Sequence, residues 1–92
     1  MEKIKKIVIN QITIVLKLPP NNIIPPKKGI QNLTAYDKNQ KLIWNAELPF
    51  DYPHAYYNEV KYIDDKLYAW CGSMMYEIDL NDGKLLNSTF VK

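Results

Sequence analysis

The stretch of sequence that decides the fold runs from Tyr76 to Leu86 and reads Tyr-Glu-Ile-Asp-Leu-Asn-Asp-Gly-Lys-Leu-Leu. Apolar side chains at Tyr76, Ile78 and Leu80 alternate with acidic ones, which is the period-2 pattern of a half-buried strand. Gly83 then supplies a residue that adopts positive φ at the point where a hairpin must reverse. We therefore predict a strand, a tight turn with Gly83 at positive φ, and a second strand.

A weaker copy of this pattern lies upstream, at residues 34–44. When one residue is removed from the turn, residues 36–37 align with 78–79, and residues 41–43 align with 84–86. Self-similarity of this kind indicates a repeated supersecondary unit. The chain is therefore predicted to contain two related β units.

The composition favours strands throughout. Residues 4–18 fit a helical stripe as well as two strands, but their β-branched side chains suit a pleated surface, so we predict a hairpin or one bent strand. The whole chain is predicted to be one all-β domain, residues 1–92, of two consecutive antiparallel β-meanders packed together, with about eight short strands and blade-like topology. The first unit covers about residues 4–47, an aromatic loop covers 48–57, and the second unit covers 58–92.

The core and one long loop follow from the same pattern. Residues 19–29 hold four prolines and form a loop, which we interpret as a cover with Ile23 and Ile24 anchored in the core, the alternative being a functional arm. Six further side chains are predicted to contribute to the core: Tyr36, Trp44, Leu67, Trp70, Ile78 and Leu85.

Residues 35–37 and 42–44, Ala-Tyr-Asp and Leu-Ile-Trp, resemble the repeat of quinoprotein-like β-propeller blades, in which a strand ends at Asp, turns at Gly and resumes towards Trp. Residues 67–72, 76–79 and 83–85 look like the same module. The resemblance implies a blade-like topology. A closed propeller typically takes four to eight blades of four strands, whereas this chain has material for two. We therefore do not carry over the quinone cofactor, its metal or dehydrogenase activity, and we expect no cofactor.

Charge and cysteine content argue against several classes of partner. The 92 residues carry a net charge of +2, and all twelve basic residues are lysines, so nucleic acid is not an expected partner. The chain has no apolar stretch of membrane-spanning length and no signal-peptide cleavage pattern, and its only cysteine is Cys71. We expect a cytoplasmic protein that contacts no membrane.

The sequence gives no sign of catalysis or of a metal site. His54 is the only histidine, and no nucleophile motif accompanies it. The pattern Asp79-x-Asn81-x-Gly83 resembles part of a calcium loop, but it lacks the bidentate glutamate, and turn formation explains these residues. We therefore predict that the protein is not an enzyme and binds no metal.

The predicted binding surface is the aromatic loop. Five of its side chains are the candidate binding residues: Phe50, Tyr52, His54, Tyr56 and Tyr57. Tyrosine offers a large apolar area with a hydroxyl group and few torsions, and prolines stiffen the loop. The competing account is that these rings fold onto the sheets and enlarge a small core.

Two classes of function remain open from the sequence. The first is a non-catalytic protein-interaction module with a protein partner, for example an immunity-type partner of a bacterial toxin or an assembly protein. The alternative is a small-molecule or carbohydrate-binding domain that uses the loop aromatics. A concave pocket would favour the small ligand, and a flat exposed aromatic patch would favour a protein. Unpaired strand edges also favour a homodimer.

Overall fold

The computed structural model of the chain describes residues 3–19, 26–49 and 54–90, with the backbone alone for residues 87–90. In these ranges the chain forms no helix. It forms eight strands: β1 (Lys3–Ile9), β2 (Ile12–Leu18), β3 (Leu33–Tyr36), β4 (Leu42–Asn45), β5 (Glu59–Ile63), β6 (Lys66–Cys71), β7 (Met74–Ile78) and β8 (Leu85–Phe90). The described part of the chain has no helix long and apolar enough to cross a membrane.

The strands form two antiparallel sheets of four. Sheet 1 has the order β1-β2-β3-β4 and sheet 2 the order β5-β6-β7-β8, so each sheet is a meander of consecutive strands. The two sheets pack together around one hydrophobic core. The predicted all-β fold of two consecutive meanders is therefore confirmed.

The N-terminal segment is a hairpin and not a helix. Strands β1 and β2 pair along their whole length, from Lys3 opposite Leu18 to Ile9 opposite Ile12. Asn10 turns the chain with φ of 54°, which asparagine tolerates better than most residues. The two-residue connection and the β-branched strands explain why the helical alternative fails.

The repeat predicted from the sequence is also present in the turns. The backbone N–H of Asp37 donates to the carbonyl oxygen of Lys41, and that of Asp79 donates to the carbonyl oxygen of Lys84, each at 2.9 Å. The second turn is one residue longer, as the sequence alignment requires. Gly83 has φ of 75°, so the predicted positive φ is confirmed.

The core lies between the inner faces of the two sheets. Trp44, Leu67 and Ile78 are buried in it, and Leu85 packs against it, so four of the predicted core residues are confirmed. Trp44 also joins the two sheets, because its indole Nε1 donates to the carbonyl oxygen of Leu80 at 2.9 Å.

The prediction of a core position was wrong for two residues. Trp70 and Tyr36 are only half-buried and lie outside the core cluster. In β6, Leu67 and Ala69 point into the core, so the alternation of the strand directs Trp70 to the outer face of sheet 2. Tyr36 follows the buried Ala35 in β3 and points outward for the same reason.

Candidate functional site

The predicted binding residues fall into three groups in the structure. Phe50 and Tyr52 lie outside the described residues. His54 is exposed, and Tyr56 is half-buried. Tyr57 is completely buried, with no accessible surface.

Tyr57 belongs to the core and is not available to a partner. Its hydroxyl group donates a hydrogen bond to the backbone carbonyl oxygen of Glu47. Burial, aided by the electrostatic effect of nearby groups, raises the pKa of the Tyr57 hydroxyl well above its ordinary value of 10.0. For this residue the structure corrects the predicted binding role and supports the competing account, in which a ring folds inward to enlarge a small core.

The buried side chain of Asn32 fixes the backbone around Tyr57. Its Oδ1 accepts from the Tyr57 N–H at 2.9 Å, and its Nδ2 donates to the carbonyl oxygens of Tyr57 at 2.7 Å and of Lys17 at 3.1 Å. Among the polar and charged residues that the structure describes, Asn32 is the one that is buried. Because three of its hydrogen-bonding positions are used, it ties β2 to the segment that carries the candidate site.

The end of the proline-rich loop is hydrogen-bonded to the same segment. The N–H of His54 donates to the carbonyl oxygen of Lys27 at 3.0 Å, and the N–H of Ile30 donates to that of Ala55 at 2.8 Å. These two hydrogen bonds attach the end of the loop to residues 54–55. The predicted anchors Ile23 and Ile24 lie outside the described residues.

A depression of about 310 Å³ lies next to this segment, lined by His54, Tyr56, Asn58, Cys71 and Gly72. We call it the 54–58 pocket. It brings together the two predicted binding residues that are accessible with the turn between β6 and β7. Asn58 ties this part of the pocket together. The Asn58 Oδ1 accepts from the N–H of Gly72 at 3.0 Å, and the Asn58 N–H donates to the carbonyl oxygen of Trp70 at 2.8 Å.

The pocket is lined by side chains of mixed chemistry. Cys71 is almost fully buried, and burial raises the pKa of its thiol, so the reactive thiolate is disfavoured at neutral pH. Across the described ranges of the chain, no group of three or more histidine, cysteine or acidic side chains is placed to hold a metal ion. The pocket instead offers an imidazole, a phenol and amide groups, which recognise ligands through hydrogen bonds and apolar contact.

Sequence reasoning missed a second surface, on the outer face of sheet 2. Tyr68 and Trp70 lie two residues apart on β6, so both side chains are on this face, and both are half-buried. The ammonium group of Lys61 is 5.8 Å from the centroid of the Trp70 ring, within reach of a cation–π interaction. The alternation of Leu67, Ala69 and Cys71 with the two aromatic residues places Tyr68 and Trp70 on one face of β6, but it does not determine which face is outside.

Comparison with known proteins identifies a family without giving a function. No curated protein and no solved structure matches the chain. The family model described as Domain of unknown function (DUF7957) matches residues 1–90. Since this match covers nearly all of the 92 residues, the chain belongs to that family.

Proposed function

We propose that this protein is a non-catalytic protein-interaction module that holds a side chain of its partner in the 54–58 pocket. The observation that carries the proposal is the backbone of His54. This exposed residue has φ of 57°, a left-handed conformation that is costly for a side chain other than glycine. In the described part of the chain, four other non-glycine residues have positive φ, namely Asn10, Gln40, Asp64 and Asp65, and each lies in a turn between two consecutive strands of one sheet.

His54 instead lies in the connection between β4 and β5, which belong to different sheets. Its N–H is held by the carbonyl oxygen of Lys27, and Tyr57 beyond it is clamped by Asn32. The surroundings therefore impose a strained backbone that presents an imidazole ring at the rim of a pocket. Strain of this kind concentrates at functional sites, where it fixes the geometry before the ligand arrives. A preorganised contact loses less entropy when a partner binds.

The dimensions of the pocket suit one side chain. At about 310 Å³ it is at the lower limit of the volumes found for small-molecule sites, about 300–1,000 Å³. Interfaces between proteins place their strongest contacts in such small pockets, around which tyrosine is enriched. Tyr56 supplies the aromatic wall here. An immunity-type role, in which the partner is a toxin, and a role in assembly are both forms of this proposal, and we place the protein in the cytoplasm.

The second candidate is a small-molecule or carbohydrate ligand in the same pocket, favoured by its concave shape and by the amide groups of Asn58. The two candidates differ in what raises the thermal stability of the protein. A sugar or metabolite that raises the melting temperature of the natural protein, but not that of a pocket variant, would favour the small ligand.

The test is a pocket variant that keeps the fold. His54→Asn removes the imidazole but tolerates left-handed φ, and Tyr56→Ser removes the aromatic wall. The partner is captured with tagged protein from cells that make it, identified by mass spectrometry and purified. We expect its affinity for the double variant to fall by about tenfold or more, the equivalent of about 1.4 kcal/mol.

The matched control is Lys38→Gln, which alters an exposed turn residue outside the pocket and should leave the affinity unchanged. Unchanged affinity of the pocket variant would contradict the proposal. So would a fall in its melting temperature of several degrees, because Tyr56 would then act in the core.

A further inference from the structure

The two sheets have equivalent residues, but each sheet exposes a different one of its two faces. The turn hydrogen bonds make Tyr36 equivalent to Ile78 and Ala35 equivalent to Glu77. In each sheet we call the side that carries Tyr36 or Ile78 face A, and the side that carries Ala35 or Glu77 face B.

Equivalent residues of the two sheets have opposite environments. Tyr36 is half-buried on the outside of sheet 1, whereas Ile78 is 2% exposed in the core. Ala35 is completely buried, whereas Glu77 is on the outside of sheet 2. The core is therefore made by face B of sheet 1 and face A of sheet 2. This is head-to-tail packing, in which two different faces meet.

The strand registers extend this relation across both sheets. Ile14 lies opposite Ala35, and Tyr68 lies opposite Glu77, so Ile14 and Tyr68 are equivalent positions on face B. Ile14 is buried by sheet 2, whereas Tyr68 is half-buried on the outside. On face A, Leu85 packs against the core, whereas its equivalent Leu42 is 54% exposed.

We propose that a second copy of this chain binds through these exposed faces, with face B of sheet 2 in one copy packed on face A of sheet 1 in the next. The new interface repeats the internal contact between the two sheets of one chain. Head-to-tail contacts form rings when the rotation closes. Rings of four-stranded sheets typically hold four to eight of them, so two to four copies complete one.

The side chains of the two faces support this occupant. Face A of sheet 1 exposes Val8 at 72% and Ile4 at 50%, in addition to Leu42. Val8 and Leu42 lie at the two ends of one row across sheet 1, and Ile4 lies further along β1. A second sheet packed on this face would cover all three. Face B of sheet 2 offers Trp70 and the 46%-exposed Ile63 as apolar partners.

The charges of the two faces are also compatible. Within the described residues, the strands of sheet 1 place two exposed lysines, Lys6 and Lys17, on face A and no carboxylate. Face B of sheet 2 carries two carboxylates, Glu59 and Glu77, and two exposed lysines, Lys61 and Lys66, and Glu59 is paired with Lys5 of its own chain. The lysines of face A therefore meet a face of mixed charge and not one of like charge.

The first measurement is the mass of the chain in solution by light scattering. One chain is 10.8 kDa, and we expect the mass of two to four chains. A monomer at the highest concentration that stays dissolved would overturn the proposal.

The decisive measurement uses two variants that each block one face. Val8→Glu blocks face A, and Trp70→Glu blocks face B. Each variant alone has no complementary pair of free faces, so we expect monomers. Mixed together, they retain one free face A and one free face B, so we expect a dimer with one copy of each and nothing larger. A mixture that stays monomeric, or a single variant that still forms the natural assembly, would overturn the proposal.

Two controls keep this test independent of folding. Lys38→Gln changes the charge by the same amount in an exposed turn on neither face, and should keep the natural mass. Thermal melts confirm that each variant is folded. If Trp70→Glu does not fold, Ile63→Glu blocks the same face from an exposed position.

Discussion

The contact between Gly83 and Trp44 offers the sharpest test of how the two sheets are held together. Gly83 is buried with φ of 75°, and a Cβ built on it would be 2.6 Å from Cε3 and 2.7 Å from Cδ2 of the Trp44 ring. The ring is held in place, because its Nε1 donates to the carbonyl oxygen of Leu80. We therefore expect Gly83→Ala to destabilise the protein in two ways at once.

The two contributions can be estimated separately. Left-handed strain costs about 1 kcal/mol for a residue with a Cβ. Overpacking against a fixed ring costs about 1–3 kcal/mol more, since real Cβ atoms do not come within 3.0 Å of their neighbours. The expected loss in the free energy of unfolding is about 2–4 kcal/mol. A domain of this size has about 5–10 kcal/mol in total, so the variant should remain folded.

The assay is urea unfolding, with Gly72→Ala as the matched control. Gly72 also has positive φ, 63°, but it lies exposed in the turn between β6 and β7, so its substitution should cost only the strain, about 1 kcal/mol. The difference between the two variants measures the clash with Trp44. If Gly83→Ala loses no more stability than Gly72→Ala, the proposed packing of the indole on the turn is refuted.

Three further predictions concern the support of the site. Asn32→Leu keeps the approximate shape of the side chain but leaves three backbone groups without their Asn32 partner, two of them buried. It should cost about 3–5 kcal/mol in urea unfolding, and a loss under about 1 kcal/mol would contradict the role of Asn32 as a clamp. Tyr57→Phe removes only the hydroxyl that donates to Glu47, so it should lower the free energy of unfolding by about 1 kcal/mol and leave the affinity for the partner unchanged. A loss of affinity without a loss of stability would show that Tyr57 contacts the partner. Lys5 and Glu59 form an ion pair with a 2.6 Å hydrogen bond, which lowers the pKa of the Glu59 carboxyl below its ordinary value of 4.5. The pair therefore stabilises the fold above pH 4.5, and this stabilisation is lost as the pH falls through the lowered pKa. Both side chains are exposed, so Glu59→Gln should cost at most about 0.5 kcal/mol at pH 7 and nothing in strong acid; equal stability changes at both pH values would contradict the pairing.

Local signals were sufficient for the strands and turns. The alternation from Tyr76 to Leu80, the glycine at position 83 and the two-residue break at Asn10 each act over a few residues, because φ preferences and the pleat of a strand are local properties. The eight strands and the repeat could therefore be predicted from the sequence.

The candidate site could be located only in part. The sequence drew attention to the aromatic loop, and His54 and Tyr56 do line a pocket. The adjacent tyrosines at 56 and 57 look alike in the sequence, yet one is accessible and the other is buried. Their difference comes from Asn32, which is 25 residues away from Tyr57 in the chain and orients its backbone. Contacts over such a separation leave no periodic signal.

The sequence by itself determined that this chain forms strands, where they turn, and that two related units follow one another. Only the tertiary structure decided which side of each sheet is inside. In β6 both faces are apolar, so alternation allows either the side of Leu67 and Ala69 or the side of Tyr68 and Trp70 to be buried. The packing of sheet 1 on sheet 2 decides which side is buried, because face B of sheet 1 and face A of sheet 2 meet in the core. The exposure of an aromatic face thus depends on a contact between units, which no pattern within a single strand can encode.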